Sequence, residues 1–292
     1  MTDPVDLRQP VRRLSLGRRR TFELFQLMTR ALGGRRFYRW RHLSPGGFRV
    51  RHERVALPPE MSEWAGFRIV QFSDLHAGPF LGAGDLAHVV DASNALEPDL
   101  VAITGDLLSE VPEEAFELIG DLSRLRARDG VWGVFGNHDY RQRREGEIAA
   151  RYAAEAGVRF LRDEHVLLER GGQALALVGL EDLEEARVSD YGRAVEGLDP
   201  ATRRIVLCHH PAAGAALAGP DVLAVLSGHT HGHQIDLPLV RRLAPPHPGD
   251  RRDLGSTVAL TSRGLGALGV PLRLRSPAEL VLLELCQDPE VH

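Results

Sequence analysis

The chain has no lysine at all. Each of its 36 basic residues is an arginine, a usage that reads as compositional bias rather than as one anion-binding surface. It has two cysteines, Cys208 and Cys286, each inside an apolar run. Two thiols in a chain of this length exclude a disulfide framework and fit a reducing compartment. No window approaches the ~18 uninterrupted apolar residues of a membrane-spanning helix. No glycine-rich phosphate loop is present, which removes support for nucleoside-triphosphate motor chemistry. Internal repeats and low-complexity segments are missing too. What is there is 292 residues, 43% hydrophobic and 26% charged, the composition of a soluble globular protein with a sizeable core.

The formal net charge of −4 hides an asymmetry. Residues 1–54 carry 14 Arg against 4 acidic residues, and the remainder carries 22 against 36. Residues 1–60 therefore read as a basic arm that favours an anionic surface, ending in the breaker-rich "ALPPEMSEWAG". Within it, Phe22, Leu24, Phe25, Leu27, Met28 and Leu32 could form the apolar side of a short basic helix on a membrane surface. The same stripe could pack on the protein's own body, and the paired arginines before it suggest a degenerate export signal as a further alternative. The cysteine usage points to a cytoplasmic protein, and the arm would allow a peripheral position on the inner face of the membrane.

Beyond the arm, apolar strands and helical spacing alternate. "FRIVQFSD", "DLVAITGD" and "GVWGVFGNHD" read as strands. "GDLAHVVDASNAL", "PEEAFELIGDLSRL" and "EGEIAARYAAEAG" read as helices. This alternation predicts βαβ units and a largely parallel sheet. "HVLLERGGQALALVGL" predicts an antiparallel hairpin turning at Gly171 and Gly172. "RRIVLCHHP", "DVLAVLSGHTH", "STVALTS" and "AELVLLEL" supply further strands. One domain over 61–292 accounts for the pattern.

Five of these apolar runs end in Asp, Asn or His. The ends are Asp74 with His76; Asp106; Asn137 with His138 and Asp139; His209 with His210; and His229, His231 and His233. Loops at the carboxyl ends of strands line the ligand crevice of open α/β sheets, so these side chains are expected to converge. Carboxylates, an amide and several imidazoles suit Mn, Fe, Co, Ni or Zn better than Ca or a thiolate-bound Zn. Gly228 and Gly232 would let the backbone crowd the site. Cys208, beside His209, reads as a buried strand residue rather than a nucleophile.

"SDLH", "TGD", "GNHD", "CHHP" and "GHTHGHQ" together resemble the calcineurin-like metallophosphoesterases over roughly residues 66–285. The tail is similar to that of a bacterial branch with phosphodiesterases and UDP-2,3-diacylglucosamine pyrophosphatases. The resemblance implies a four-layer α-β-β-α sandwich of two mixed sheets. It also implies two divalent ions, Mn foremost: Asp74, His76 and His231 on the first, Asn137, His209 and His229 on the second, and Asp106 bridging both. It makes His138 the catalytic histidine, as general acid or transition-state stabiliser, with Asp139 placed to orient it or raise its pKa. His210, His233 and Arg263 are expected at the substrate. For each a structural role stands beside that one, for Arg263 an ion pair.

The function implied is hydrolysis of a phosphoester or pyrophosphate by a hydroxide between the metals. The branch and the basic arm favour a lipid-linked, UDP-2,3-diacylglucosamine-like substrate. The alternatives are a soluble phosphodiesterase or a non-catalytic scaffold on the same fold. Nucleic acid is not expected as a partner, because the acidic body would repel a polyanion.

Overall fold

The computed structural model describes residues 33–186, 189–238 and 249–287, together with Thr29. Among them, twelve strands form two six-stranded sheets. The first contains β1 (Arg49–Ala56), β2 (Arg68–Phe72), β3 (Leu100–Thr104), β4 (Val131–Val134), β5 (Val158–Phe160) and β12 (Glu279–Cys286), in the order β1-β12-β2-β3-β4-β5. The second contains β6 (Glu164–Arg170), β7 (Gln173–Gly179), β8 (Arg203–Leu207), β9 (Val222–Ser227), β10 (Arg251–Leu254) and β11 (Thr257–Thr261), in the order β10-β11-β9-β8-β7-β6. Runs β2–β5 and β7–β8–β9–β11 are parallel, while β12–β2, β10–β11 and β6–β7 are antiparallel, so both sheets are mixed.

Strand periodicity builds the layers. Successive side chains of a strand point to opposite faces. In β3, Leu100 and Ala102 meet Leu177, Leu207 and Leu226 of the second sheet. Val101 and Ile103 turn the other way, toward Val89, Val90, Ile148 and Tyr152 on the helices Ala87–Ala95 and Glu145–Ala156. The outer face of the second sheet presents Val178, Val206, Cys208 and Val225 to Ala194, Ala213 and Leu217 of its covering helices. The result is an α-β-β-α sandwich. Each fully buried Leu or Val contributes about 1.5–3 kcal/mol, and the apolar layer between the sheets fixes how they stack.

The hairpin turns at Gly171 and Gly172, with φ of 54° and 78°, between the paired residues Arg170 and Gln173. Two left-handed residues in succession are what a two-residue turn of this kind requires. The helix expected over 112–125 is two short pieces, Pro112–Phe116 and Ile119–Leu122.

The expected boundary at residue 60 needs correction. β1 falls within the basic arm, yet it pairs in parallel with β12 from Arg49↔Glu279 to Ala56↔Cys286. Tyr38 and Leu43 are fully buried in the core. Arg49 and Arg54 at exposed positions of this edge strand, with Arg51 paired to Glu53 and Glu279, give it the composition of a solvated arm. The apolar stripe from Phe22 to Leu32 lies outside the described residues. Among the described residues, no helix is long and apolar enough to cross a membrane.

Candidate metal centre

The loops after β2, β3, β4, β8 and β9 meet at one rim. Just below it, Gln71 Nε2 donates to Thr104 Oγ1 at 2.8 Å and to the Ser227 carbonyl at 2.9 Å, tying the sheets together. Above it the backbones run side by side: Asp74 N donates to Gly105 O at 3.0 Å, His76 N to Asp106 O at 2.9 Å, and Gly228 N to His209 O at 2.9 Å. Close approach constrains side-chain size. A Cβ on Gly228 would lie 2.0 Å from Ser73 Oγ and 2.4 Å from Asp74 Oδ2. A Cβ on Gly232 would instead meet Ser276 and Arg263, so that glycine serves the loop rather than the centre.

Asp74, His76, Asp106, His229 and His231 all have φ between 45° and 75°. Left-handed geometry costs a non-glycine residue on the order of 1–3 kcal/mol and persists only where the surroundings over-determine it. Here the surroundings do so. Asp74 Oδ1 accepts the His229 N–H at 2.9 Å, and Asp74 Oδ2 accepts the Ser73 hydroxyl at 2.6 Å. Asp106 Oδ1 accepts the His138 N–H at 2.9 Å.

The donor atoms of this frame converge. His76 Nε2 and His231 Nε2 are 2.9 Å apart, and His231 Nε2 is 3.5 Å from Asp74 Oδ1. Asp106 Oδ2 lies 3.3 Å from both His76 Nε2 and His209 Nε2. His229 Nδ1 faces Asn137 Oδ1 at 3.2 Å. His209 donates its Nδ1–H to the Thr104 carbonyl at 2.7 Å, which turns the Nε2 lone pair toward Asp106. A carbonyl on one ring nitrogen is how proteins aim the other at a metal.

Electrostatics follow from burial and crowding. Burial alone would raise the Asp106 carboxyl, but His209, His138 and His76 outweigh it and hold it well below the usual range. Burial would lower His209, yet Asp106 and Asp74 raise it well above an ordinary imidazole. Desolvation, with His76 and Arg273 nearby, pushes His231 well down. Burial also takes His229 to about 3, helped by His209 and His210.

Two imidazole nitrogens facing each other, and a carboxylate oxygen facing two more, satisfy one another only through a proton or a cation. Asp74, His76, Asp106 and His231 offer one ligand atom each within 4.8 Å of one another. The buried nitrogen–oxygen donor set fits a borderline divalent ion. Asp106 Oδ2, between His76 and His209, stands where a shared carboxylate would.

His138 and Asp139 part company. The His138 ring lies 4.6 Å from that of His76, with Nδ1 2.8 Å from the Ser109 carbonyl. Desolvation takes its imidazole down to about 3 against the pull of Asp106. Asp139 was expected to orient it but does something else. Asp139 Oδ2 accepts the N–H groups of Asp106 at 2.9 Å and Gly136 at 2.8 Å, and Oδ1 accepts Leu107 N–H at 2.9 Å. It pins the loop that carries Asp106 to the one that carries Asn137. Burial and Asp106 push this carboxyl up to about 7.

The residues expected at the substrate have partners of their own. Arg263 makes the ion pair, Nη1 to Glu279 Oε2 at 2.9 Å. His233 turns to Asp236 Oδ1 at 3.6 Å. His210 accepts the Ala212 N–H at Nδ1, 3.1 Å away, and directs Nε2 to Glu184 Oε1 at 3.7 Å.

Three residues escape the sequence reading. Glu184 lies 3.8 Å from His229 Nε2, in the polar run "EDLEE" after β7, a strand end like the other five. Arg141 donates Nη2 to His138 Nε2 at 3.1 Å and Nη1 to the Ser109 carbonyl at 2.9 Å. Gln234 staples the loop after β11: its Nε2 donates to the carbonyls of Leu268, Val270 and Leu272, and its Oε1 accepts Leu268 N–H.

An α-β-β-α sandwich with this Asp/His/Asn rim has the architecture of the metallophosphoesterases. The family model for calcineurin-like phosphoesterases matches residues 67–233, and the chain belongs to that family. It is 32% identical over 252 residues to a bovine (Bos taurus) transmembrane protein with metallophosphoesterase domain, covering 80% of this chain and 55% of that one. A zebrafish (Danio rerio) protein of the same description is 31% identical over 235 residues, with 76% and 54% covered. The uncharacterized metallophosphoesterase YkuE of Bacillus subtilis is 30% identical over 227 residues, with 75% and 79% covered. The chain thus spans about half the length of the two vertebrate relatives.

Proposed function

We propose that the protein hydrolyses a phosphoester or pyrophosphate bond with two divalent ions, manganese foremost. Asp74, His76 and His231 would hold one ion, Asn137, His209 and His229 the other, and Asp106 both. One observation carries this reading: Asp106 Oδ2 at 3.3 Å from an imidazole of each set. The ions supply the charge that neutralises phosphate oxygens and makes water a stronger acid.

The chain's own residues do the rest. Asp139 and Ser73 hold the two acidic ligand loops in register. With Nδ1–H committed to Ser109, His138 offers Nε2, and it donates there only as an imidazolium. Arg141 is the standing donor beside it, so the two together would steady the leaving oxygen. The membrane-related names of the vertebrate relatives and the basic segment ahead of Gly33 support a lipid-linked substrate of the UDP-2,3-diacylglucosamine kind and a peripheral position on an anionic membrane.

The test is a panel of phosphomonoesters, diesters, cyclic nucleotides and UDP-sugar lipids with Mn, Co, Zn and Mg. His138→Ala should keep both ions by elemental analysis and lose at least ~100-fold in turnover. His209→Ala should lose one ion of the two. A metal-loaded protein inactive on every substrate would refute the hydrolase reading.

A further inference from the structure

Few large apolar side chains among the described residues reach solvent, and they are not scattered. Phe37, Trp40, Leu237, Leu272 and Leu274 are five of the six exposed ones among the described residues, the sixth being Leu167 on β6. Trp40 is the extreme case at 69% exposed, with Phe37 beside it, ring centroids 6.2 Å apart. Isolated exposed leucines are ordinary, whereas a cluster marks an interaction site.

The five lie on three connected segments. The N-terminal helical segment touches the 267–275 loop where Arg273 N donates to His42 Nε2 at 3.4 Å and Arg273 Nε to Tyr38 Oη at 2.9 Å. That loop in turn pairs with the chain after the metal loop, through an Ile235–Leu274 bridge. Leu272 and Leu274 flank the buried Arg273 and point outward as it points in. The face is therefore built against the rim: Arg273 Nη1 reaches the His231 carbonyl at 3.4 Å, and Ser276 Oγ donates to the same oxygen at 2.8 Å.

Charge names the partner. Residues 33–43 and 267–275 contain six arginines and no acidic residue, and the third segment adds Asp236, which faces His233. Arg35 is committed to Asp85 and Glu117, Arg39 pairs with Asp85 at 3.4 Å, and Arg273 is buried. Arg36, Arg41 and Arg275 are exposed and make no ion pair among the described residues. Arginine interleaved with an exposed Trp, a Phe and leucines matches a bilayer interface: rings and leucines enter the acyl boundary while guanidinium groups stay with anionic headgroups. We infer that the face of Phe37, Trp40, Leu272 and Leu274 docks the protein on an anionic lipid surface with the metal rim alongside. Docking would serve the proposed lipid-linked substrate, but the face is defined by exposure and charge alone.

Trp40 supplies its own reporter, because the other two tryptophans, Trp64 and Trp132, are buried. The full chain is mixed with vesicles of phosphatidylcholine alone or with half phosphatidylglycerol. On the anionic vesicles Trp40 emission should move to shorter wavelength and be quenched by brominated lipid. Leu272→Ser with Leu274→Ser should weaken co-sedimentation, and Arg36→Gln, Arg41→Gln or Arg275→Gln should each weaken it about fivefold. Leu167→Ser should change nothing. These variants should keep wild-type turnover of bis-p-nitrophenyl phosphate, so an inactive wild type would sink the hydrolase reading and leave this one standing. Three results overturn the docking face: sedimentation with anionic vesicles while Trp40 emission stays unchanged, equal binding to both compositions, or a concentration-dependent oligomer lost in the double leucine variant with no vesicle response.

Discussion

Asp139→Asn separates two roles that one carboxylate beside the proposed catalytic histidine could play. As the structure has it, Asp139 is an anchor, accepting three buried backbone N–H groups at 2.8–2.9 Å from Asp106, Gly136 and Leu107. Both oxygens are occupied as acceptors, so an amide cannot replace them without loss. Turning its NH2 toward Leu107 keeps the two bonds at the other oxygen but sets donor against donor. That leaves the Leu107 N–H and the new amide unpaired, at about 1–3 kcal/mol each, or about 2–6 kcal/mol in all, and gives up the longer Leu108 N–H contact at 3.4 Å as well. For a chain of this size the melting temperature should fall by roughly 5–15 °C. Thermal unfolding should be read with chelator and again with saturating Mn, since bound metal adds stability by mass action. The Asp106 loop moves with its anchor, so affinity for both ions should fall too, by isothermal titration. His138→Ala gives up two hydrogen bonds, to Ser109 and from Arg141, so under chelator it should lower the melting temperature by only about 2–6 °C. If Asp139→Asn melted like wild type and bound both ions normally but lost turnover as His138→Ala does, Asp139 would be a partner of the histidine and the anchor argument would fail.

Two further expectations follow from packing. Gly228→Ala drives a methyl into Ser73 and Asp74; overpacking of this kind costs about 1–3 kcal/mol, and elemental analysis should show the ion on Asp74 preferentially lost. A chain starting at residue 58 loses Tyr38, Leu43, Val55 and Leu57 from the core as well as β1, more than about 6 kcal/mol of burial. It should be recovered insoluble, and soluble, active 58–292 would contradict the assignment of residues 34–57 to the body.

Much of this was legible in the sequence for one reason: strand ends are where a periodic apolar signal stops, and here it stops in metal-binding chemistry five times. The hairpin was legible because Gly171–Gly172 is a local signal. β1 was hidden because Arg49, Arg51 and Arg54 line a sheet edge, where charge and strand structure coexist. The partner of Asp139 could not be read from adjacency. Neighbouring residues in a tight turn point apart, and its acceptors are spent on a loop more than thirty residues earlier. Glu184 and Arg141 were missed because a glutamate among acids and an arginine among arginines carry no contrast. Gln234 ends the motif GHTHGHQ, but its partners lie on a loop that only the tertiary fold brings near.

Gln234 grips nothing but main-chain groups, three carbonyls and one amide between Leu268 and Leu272. The curvature of that loop is thereby uncoupled from the identity of its side chains. Replacements at Leu268, Val270 or Leu272 can recolour the surface beside the rim without bending the chain that carries it. A protein built this way can change the face it shows there while the chain beneath keeps its path.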